Sequence, residues 1–271
     1  MKNMRLIVRL TPFILLTAMI GLALYGCAGT PTGPGKPEFD FTEFDFGRIP
    51  QGVVVTHIYK LANVGGDSVV VQGVRTHCGC TKAPLEIKVA HVGETIPIEL
   101  RFSSRGYRGK SKKSATVNMW IAEENTPSER LSFSTYTDTV ANPFSYGELG
   151  AEPFKIEFAD SVETIEITLT NRIAAKREVE IVDFQSDRIK LSWDKKTIGP
   201  KGRAVLKVTR LIPAHGLVAS ITLEMPGHEN TRITIPIEEY VEVGTTRTGR
   251  SVSRRVTPTQ APTEPWTNPR K

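Results

Sequence analysis

Two cysteines separated by one glycine, Cys78-Gly79-Cys80, are the residues of this 271-residue sequence best suited to do chemistry. In an extended strand the Cα atoms of residues i and i+2 lie about 6.6–6.8 Å apart, at the upper limit for a disulfide. Gly79 allows the backbone to bend and to bring the two cysteines closer. Paired thiolates would also suit a soft ion such as Cu(I), or Zn(II). Possible further ligands are three histidines of the same half, His57, His77 and His91. Local disulfide, metal binding and thiol redox chemistry all stay open.

A third cysteine, Cys27, follows a segment with the features of an export signal. Residues 1–26 begin with cationic side chains and continue with an apolar run over Leu10–Leu24. The run is short for a transmembrane helix and contains a proline. Leu24-Tyr25-Gly26-Cys27 resembles the bacterial lipobox, so we expect Cys27 to become the new N-terminus and to carry lipid, including palmitate. Ala28 at the next position favours the outer membrane, with the protein facing the periplasm.

The formal charge of +6 would suit a nucleic-acid-binding protein only if the folded body carried it. Residues 1–26 carry +3 and residues 244–271 carry +5, which leaves −2 for residues 27–243. Nucleic acid is therefore not an expected partner. The tail Gly244–Lys271 has too few apolar residues to fold, and we interpret it as a solvated tail rather than as an attachment to an anionic partner.

Between these ends the sequence shows the period-two alternation of β-strands and no helical stripe. Thr95–Ser103, Ala115–Ile121 and Gly216–Met225 each place apolar residues at every second position. Turn sequences separate such runs at short intervals, which is typical of antiparallel β-sandwiches. We therefore predict an all-β body. Lys110–Lys113 (KSKK) is interpreted as the solvated flank of a hairpin rather than as a basic contact patch.

An internal comparison divides the body into two similar halves. Three pairs of segments resemble each other: Phe44–Ile49 and Phe144–Leu149, Tyr59–Asn63 and Ile167–Asn171, and Gly109–Met119 and Gly216–Met225. In the ungapped part of this alignment Cys78-Gly79-Cys80 corresponds to Ser186-Asp187-Arg188, so the fold does not require the cysteines. The predicted organisation is a signal peptide (1–26), a lipidated Cys27 with a flexible linker (27–37), two sandwich domains (38–142 and 143–243) and a disordered basic tail (244–271).

The residues around the cysteine pair resemble a known family. The segments "FDFGRIPQG", "YKLANVGGDSVVVQGVRTHCGCT", "VGETIPIELRF" and "GYRGKSKKSATVNM" are similar to the bacterial Ig-like family called domain of unknown function 1573, over about residues 39–140. The sequence departs from the family at His77, where Ser is frequent, and at Val92-Gly93, where the family has Pro-Gly. The resemblance implies an Ig-like sandwich in a secreted or lipid-anchored protein. Together with the internal repeat, it predicts two tandem Ig-like antiparallel β-sandwich domains. It implies no particular activity.

Sequence motifs of catalysis are absent, including Gly-x-Ser-x-Gly, His-Glu-x-x-His, the phosphate-binding loop and Cys-x-x-Cys. We expect a lipid-anchored cell-envelope protein that acts as a binding or structural module and is not an enzyme. Its expected partners are the membrane, through the anchor, and an envelope protein or a cell-wall polymer, and no cofactor is expected. The alternative is a metal-handling or thiol-redox lipoprotein, in which Cys78 and Cys80 with His77 bind Cu(I) or Zn(II).

Overall fold

The computed structural model describes residues 33–239, apart from 122, 123, 126, 127, 141 and 146. The predicted signal peptide, Cys27 and the basic tail Gly244–Lys271 lie outside these residues. All secondary-structure elements in the described part of the chain are β-strands, which confirms the all-β prediction. Within the same residues, no helix is long and apolar enough to cross a bilayer.

The first half of the chain forms a two-layer sandwich, called the first sandwich below. Its strands are β1 (Pro37–Phe39), β2 (Glu43–Pro50), β3 (Val54–Asn63), β4 (Val69–Thr76), β5 (Thr81–Lys82), β6 (Val89–Ala90), β7 (Thr95–Ser103), β8 (Gly109–Ile121), β9 (Glu124–Asn125) and β10 (Glu129–Asp138). One layer, sheet A, has the order β1-β3-β7-β5. The other has the order β2-β10-β8-β4-β6, with β9 paired to β8. The core between the layers includes Phe46, Leu100 and Phe133.

The second half forms a second sandwich. Its strands are β11 (Leu149–Glu152), β12 (Ile156–Phe158), β13 (Thr164–Asn171), β14 (Arg177–Glu178), β15 (Glu180–Phe184), β16 (Ile189–Trp193), β17 (Thr197–Ile198), β18 (Arg203–Arg210), β19 (Val218–Glu224) and β20 (Ile233–Glu239). Sheet C has the order β11-β13-β18-β16, the opposite layer is β12-β20-β19-β15, and β14 pairs with β17. Phe158, Leu206 and Ile235 belong to a separate buried core. The domain limits at 38–142 and 143–243 stay a prediction.

In most strands, apolar residues at alternate positions form one face, and this face is buried in the core of the sandwich. In β7, Ile96, Ile98 and Leu100 are fully buried, as the period-two pattern predicts. β19 and β20 differ, because both of their faces are buried. One face belongs to the second core, and the other, with Ser220 and Thr234, packs on β3 of the first sandwich. The apolar alternation of Gly216–Met225 therefore identifies only one of the two buried faces.

The two sandwiches share one topology, in which β3, β7 and β8 correspond to β13, β18 and β19. The internal comparison predicts this for two of its three segment pairs. It is wrong for the remaining pair: Phe44–Ile49 lies in β2, whose counterpart is β12, whereas Leu149 begins β11, the counterpart of β1. Each segment contains a core phenylalanine, Phe46 or Phe144, that is followed within three residues by a glycine, and such a short pattern occurs at more than one place in a sandwich.

Two asparagines show how closely the halves repeat. Asn63 and Asn171 are fully buried at the ends of β3 and β13. Each donates through Nδ2 to the carbonyl four residues later, at 2.6 and 2.8 Å, and to the carbonyl 27 residues later, at 3.0 and 3.1 Å. Each Oδ1 accepts from the backbone N–H two residues later. Their side chains replace a missing strand neighbour, so they are turn residues and not parts of a site.

One parallel contact joins layers of the two sandwiches into a ten-stranded sheet, the long sheet. β2 lies beside β20 with Arg48 opposite Ile233, and the Arg48 N–H donates to the Arg232 carbonyl at 3.0 Å. Gly47, which precedes this contact, has a φ of +62°. An added Cβ there would overlap the Arg232 carbonyl oxygen, so the approach of the two strands requires glycine.

Candidate functional site

The Cys-Gly-Cys segment forms a corner at which the chain passes from one layer of the first sandwich to the other. Residues His77–Cys80, the first corner below, connect β4 in the long sheet to β5 in sheet A. The Thr81 N–H donates to the Cys78 carbonyl at 3.3 Å, which closes a tight turn. The Ser103 N–H of β7 donates to the Cys80 carbonyl at 2.9 Å and fixes the exit of the turn.

Cys78 and Cys80 form a disulfide, and their Cα atoms lie 5.3 Å apart. This separation is shorter than in an extended strand because the residues lie in a turn, with Gly79 between them. Both cysteines are half-buried, and the Thr81 hydroxyl lies 3.4 Å from Cys78 Sγ and 3.7 Å from Cys80 Sγ. Because the bond closes a three-residue loop, it constrains the corner alone and not the relation between distant strands.

His77 is exposed at the first corner and is held by the neighbouring strand β8. Ser114 Oγ lies 3.2 Å from its Nδ1, and Thr116 Oγ1 lies 2.9 Å from its Nε2. Arg130 also donates to Ser114 Oγ, at 2.9 Å. Both imidazole nitrogens therefore face hydroxyls on the outer surface of the long sheet.

The other two candidate histidine ligands have partners elsewhere. His91 Nδ1 lies 3.0 Å from Ser68 Oγ, and His57 Nδ1 lies 2.8 Å from a carboxylate oxygen of Asp183 in the second sandwich. Across residues 33–239, leaving aside the undescribed positions, no three His, Cys, Asp or Glu side chains are grouped to hold a metal ion. Binding of Cu(I) or Zn(II) by the reduced cysteine pair stays a prediction.

The second sandwich has a corner at the same place in its topology. Residues Gln185–Arg188, the second corner below, connect β15 in the long sheet to β16 in sheet C. The Leu211 N–H donates to the Arg188 carbonyl at 2.8 Å, which repeats the bond that β7 makes to Cys80. Arg188 therefore occupies the place of Cys80, as the alignment predicts. The second corner has no disulfide and instead contacts the first sandwich.

An ion pair between Arg188 and Glu99 of β7 lies at the centre of this contact. Arg188 donates through Nη1 and Nη2 to the two carboxylate oxygens, at 2.7 and 2.9 Å. Arg101 donates to the same carboxylate from Nε and Nη2, both at 2.9 Å. Burial by itself raises the pKa of Glu99, but the hydrogen bonds and charges of the two arginines outweigh it and lower the pKa to about 2. The buried carboxylate is thus charged at neutral pH and fully partnered.

The second sandwich also completes the open edge of β3. The first half of β3 has no strand on this side, because β1 pairs only with residues 61–63. The Thr56 N–H donates to Ser220 Oγ at 2.9 Å, and the Val54 N–H donates to Glu238 Oε1 at 2.7 Å. Side chains of the second sandwich thus satisfy backbone donors that a strand would otherwise pair.

His57 and its aromatic neighbours complete the contact. The imidazole that meets Asp183 is nearly parallel to the ring of Phe44, with centroids 3.7 Å apart, and meets Tyr59 edge-on. Burial raises the pKa of Tyr59 above its usual range, and its hydroxyl donates to the Ser132 carbonyl at 2.7 Å. Apolar packing and matched polar groups together hold the two sandwiches in one arrangement.

A groove of about 710 Å³ lies where the two sandwiches meet on the long sheet. β2, β8 and β10 form its floor, and Asn230 and Arg232 of the second sandwich form a wall. On the floor, Tyr136 of β10 lies beside Arg48 of β2 on one side and Lys110 of β8 on the other. The guanidinium carbon of Arg48 is 5.4 Å from the centre of the Tyr136 ring. Both sandwiches therefore contribute to one concave polar surface.

Residues 37–136 match the model of the family described as "Protein of unknown function (DUF1573)". The similarity to this family concerns the first half of the chain. The match covers the first sandwich, including the first corner, and it confirms the family that the Cys-Gly-Cys-Thr sequence indicates. No curated protein sequence matches the chain.

Solved structures with a similar strand arrangement are related only remotely to this chain. A protein of unknown function from Porphyromonas gingivalis is 12% identical, with 74% of this chain and 99% of that chain covered and a TM-score of 0.34. The PapD-like domain 7 of human CEP192 is 11% identical, with 52% and 98% covered and a TM-score of 0.34. The Pseudomonas aeruginosa chaperone CupB2 is 11% identical, with 75% and 100% covered and a TM-score of 0.31. No functional inference follows from similarities of this size.

The interface and the groove are the features that the sequence did not reveal. Arg188 and Glu99 are 89 residues apart, and no local pattern connects them. Lys110 and Lys112 were interpreted as part of a hairpin flank, although their alternate positions already placed them on one face of β8. The wall that converts this face into a groove comes from the other half of the chain.

Proposed function

We propose that the protein is a lipid-anchored module of the bacterial cell envelope that acts by binding and not by catalysis. The observation that carries this proposal is the groove at the junction, because both sandwiches line it and the Glu99–Arg188 contact fixes their relative position. Ligand sites occur preferentially at such junctions. Lipidated Cys27 and the linker up to residue 37 would attach this two-sandwich unit to the outer membrane, facing the periplasm.

Anchoring is tested by fractionating cells that express the full chain with and without Cys27→Ser. Palmitate label and membrane location should both disappear in this variant. The double variant Cys78→Ser/Cys80→Ser is the matched control, and it should keep both properties. Membrane location that persists in Cys27→Ser without palmitate would contradict the proposed anchor.

Binding is tested by purifying the tagged protein from native membranes and identifying what accompanies it. An envelope protein or a cell-wall polymer should be retained by the wild type. Less of this partner should be retained by Arg188→Met, because without the ion pair the floor and the wall of the groove are no longer held in a fixed relative position. A thermal melt shows whether each sandwich of this variant is still folded. Equal retention by a folded Arg188→Met protein would contradict a role for the junction.

A second candidate function, thiol redox chemistry or metal handling, concerns the first corner. In its favour, the first corner is accessible and makes no contact between sandwiches in the described chain, whereas the equivalent second corner is occupied by such a contact. Counting free thiols in protein isolated from the envelope, followed by anaerobic titration of Cu(I) after reduction, tests it. Tight stoichiometric binding that Cys78→Ser/Cys80→Ser abolishes would support this function, and a permanently closed disulfide without copper binding would exclude it.

A further inference from the structure

We propose that the groove binds an acidic sugar segment, in which an oxyanion (carboxylate or phosphate) and neighbouring hydroxyls are recognised together. This inference deepens the proposed binding function and rests on it. The groove is the only feature used, and its recognition chemistry follows from the residues of the floor and the wall.

Positive charge dominates the lining of the groove. Four cationic side chains line the groove, against a single carboxylate, that of Asp45: Arg48, Lys110, Lys112 and Arg232. Asp45 is already engaged, because it accepts from the Ser134 hydroxyl at 2.8 Å and from the Gly47 N–H at 3.1 Å. The lining therefore offers donors and positive charge toward the open space.

The four cations of the lining differ in how firmly the protein holds them. Arg232 is committed to Glu224, at 2.6 Å from Nη2, and Arg48 is committed to Asp138, at 2.9 Å from Nη1. Lys112 pairs with Glu43 at 2.8 Å, but both side chains are more than half exposed, so a ligand can compete for this pair at little cost. Lys110 is exposed and forms no ion pair with any residue that the structure describes. Lys110, supported by Lys112, is thus the principal site for an anionic group.

The chemistry around these cations suits a sugar better than a protein segment. Tyr136 is the one large hydrophobic side chain of the lining that is strongly exposed, at 43% of its surface. Protein interfaces depend on several buried apolar anchors, and this lining has one aromatic ring. The lining also includes the Ser134 hydroxyl and the Asn230 amide, groups that can exchange hydrogen bonds with the hydroxyls of a polyol.

Both sandwiches contribute to the proposed site, and Asn230 represents the second one. Asn230 has a φ of +60°, a left-handed conformation that Asn and Gly adopt readily. Asn230→Gly therefore removes the amide of the wall without straining the backbone. This variant separates a ligand that spans floor and wall from one that contacts the floor alone.

The test is calorimetric titration of the mature full chain in detergent with three probes. Oligogalacturonate supplies carboxylates, an oligomer of glycerol phosphate carrying sugar substituents supplies phosphates, and maltohexaose is the neutral control. At least one acidic probe should bind, and maltohexaose should bind at least tenfold more weakly. The acidic probe that binds identifies the source of the oxyanion. Raising salt from about 0.05 to 0.5 M should weaken binding, since the groove is open to solvent.

Variants locate the site. Lys110→Gln should weaken binding of the acidic probe by about tenfold, the loss of one charge-assisted hydrogen bond. Asn230→Gly should weaken it severalfold. Lys190→Gln, which removes an exposed lysine of β16 outside the groove, should leave binding unchanged. Binding of neither acidic probe, equal binding of maltohexaose, or equal losses in Lys110→Gln and Lys190→Gln would each overturn the inference. If the wild type still retains an envelope partner in those cases, the proposed binding function stands without it.

Discussion

The first and second corners occupy the same place in two copies of one topology, but only the second corner contacts the other sandwich. In each, the chain leaves the long sheet and turns. A backbone hydrogen bond then fixes the turn, from Ser103 of β7 to Cys80 in one corner and from Leu211, directly after β18, to Arg188 in the other. The first corner carries a disulfide and is half exposed. The second carries an arginine that is held against a buried carboxylate of the other sandwich.

The comparison shows that backbone topology places a corner but side chains decide what it does. Gln185 and Arg188 convert the second corner into a docking element, because Glu99 and Thr56 of the first sandwich match them. A disulfide at the first corner supplies local rigidity without any group that requires a charged partner. The same fold thus provides one corner for assembly of the chain and leaves one accessible.

The largest effect on stability is expected from breaking the contact between the second corner and the first sandwich. Arg188→Met leaves the buried Glu99 carboxylate with Arg101 and the Thr56 hydroxyl as partners and should lower the free energy of unfolding by about 3 kcal/mol. Urea unfolding measures this loss, and the two sandwiches should then unfold in separate transitions. Arg75→Gln, at an exposed position of β4, is the control and should change stability by less than about 0.5 kcal/mol. Equal effects of the two substitutions would show that the ion pair does not hold the sandwiches together.

The next largest effect is a loss of folding stability at acidic pH, caused by the contact of Glu99 with the second corner. The pKa of Glu99 is lowered to about 2 in the folded protein, whereas an unfolded chain has a value of about 4.3. The stabilisation is therefore complete above about pH 4.3 and is lost as the pH falls toward 2. Urea unfolding between pH 6 and about 3 should show a steeper decline for the wild type than for Glu99→Gln/Arg188→Met. Parallel profiles would contradict this assignment.

A smaller effect is expected from opening the first corner. Cys78→Ser/Cys80→Ser removes a bond that closes only three residues, and it should cost about 1–2 kcal/mol. Hydrogen exchange should become faster at the Thr81 and Ser103 amides, which fix the turn, and should stay unchanged at Leu211 of the second sandwich. Faster exchange in both sandwiches would show that the disulfide has a role beyond the corner.

The smallest effect is expected from Gly79→Ala. Gly79 has no positive φ, and an added Cβ would meet no atom within 4 Å. The substitution should therefore change the free energy of unfolding by less than about 0.5 kcal/mol, and the disulfide should still form. A thermal melt and a thiol count suffice. A large loss of stability would mean that the corner needs a backbone freedom that the observed turn does not use.

The sequence predicted those features that depend on near neighbours along the chain. Alternation identified β7 and the core-facing side of β19, and the spacing of the Asn63 and Asn171 segments revealed the repeat. It could not show that the outer face of β19 is buried, because Ser220 and Thr222 resemble solvent-facing residues until β3 is placed against them. The candidate pair Cys78 and Cys80 was recognised for the same local reason, whereas the contact of Arg188 with Glu99 and the groove wall near Lys110 form only when the two halves dock.

The parallel seam between β2 and β20 also constrains the order of events during synthesis. β2 is completed near residue 50, but its outer neighbour β20 begins only at Ile233. Until then the first sandwich presents an unpaired strand edge, of the kind that promotes aggregation. The first sandwich is complete only when β10 ends at Asp138, so the emerging chain must protect this edge while roughly 95 further residues are made. Truncation shortly before Ile233 should consequently leave a first sandwich that is folded but prone to aggregate. Loss of the last strand would therefore reduce solubility more than it reduces folding.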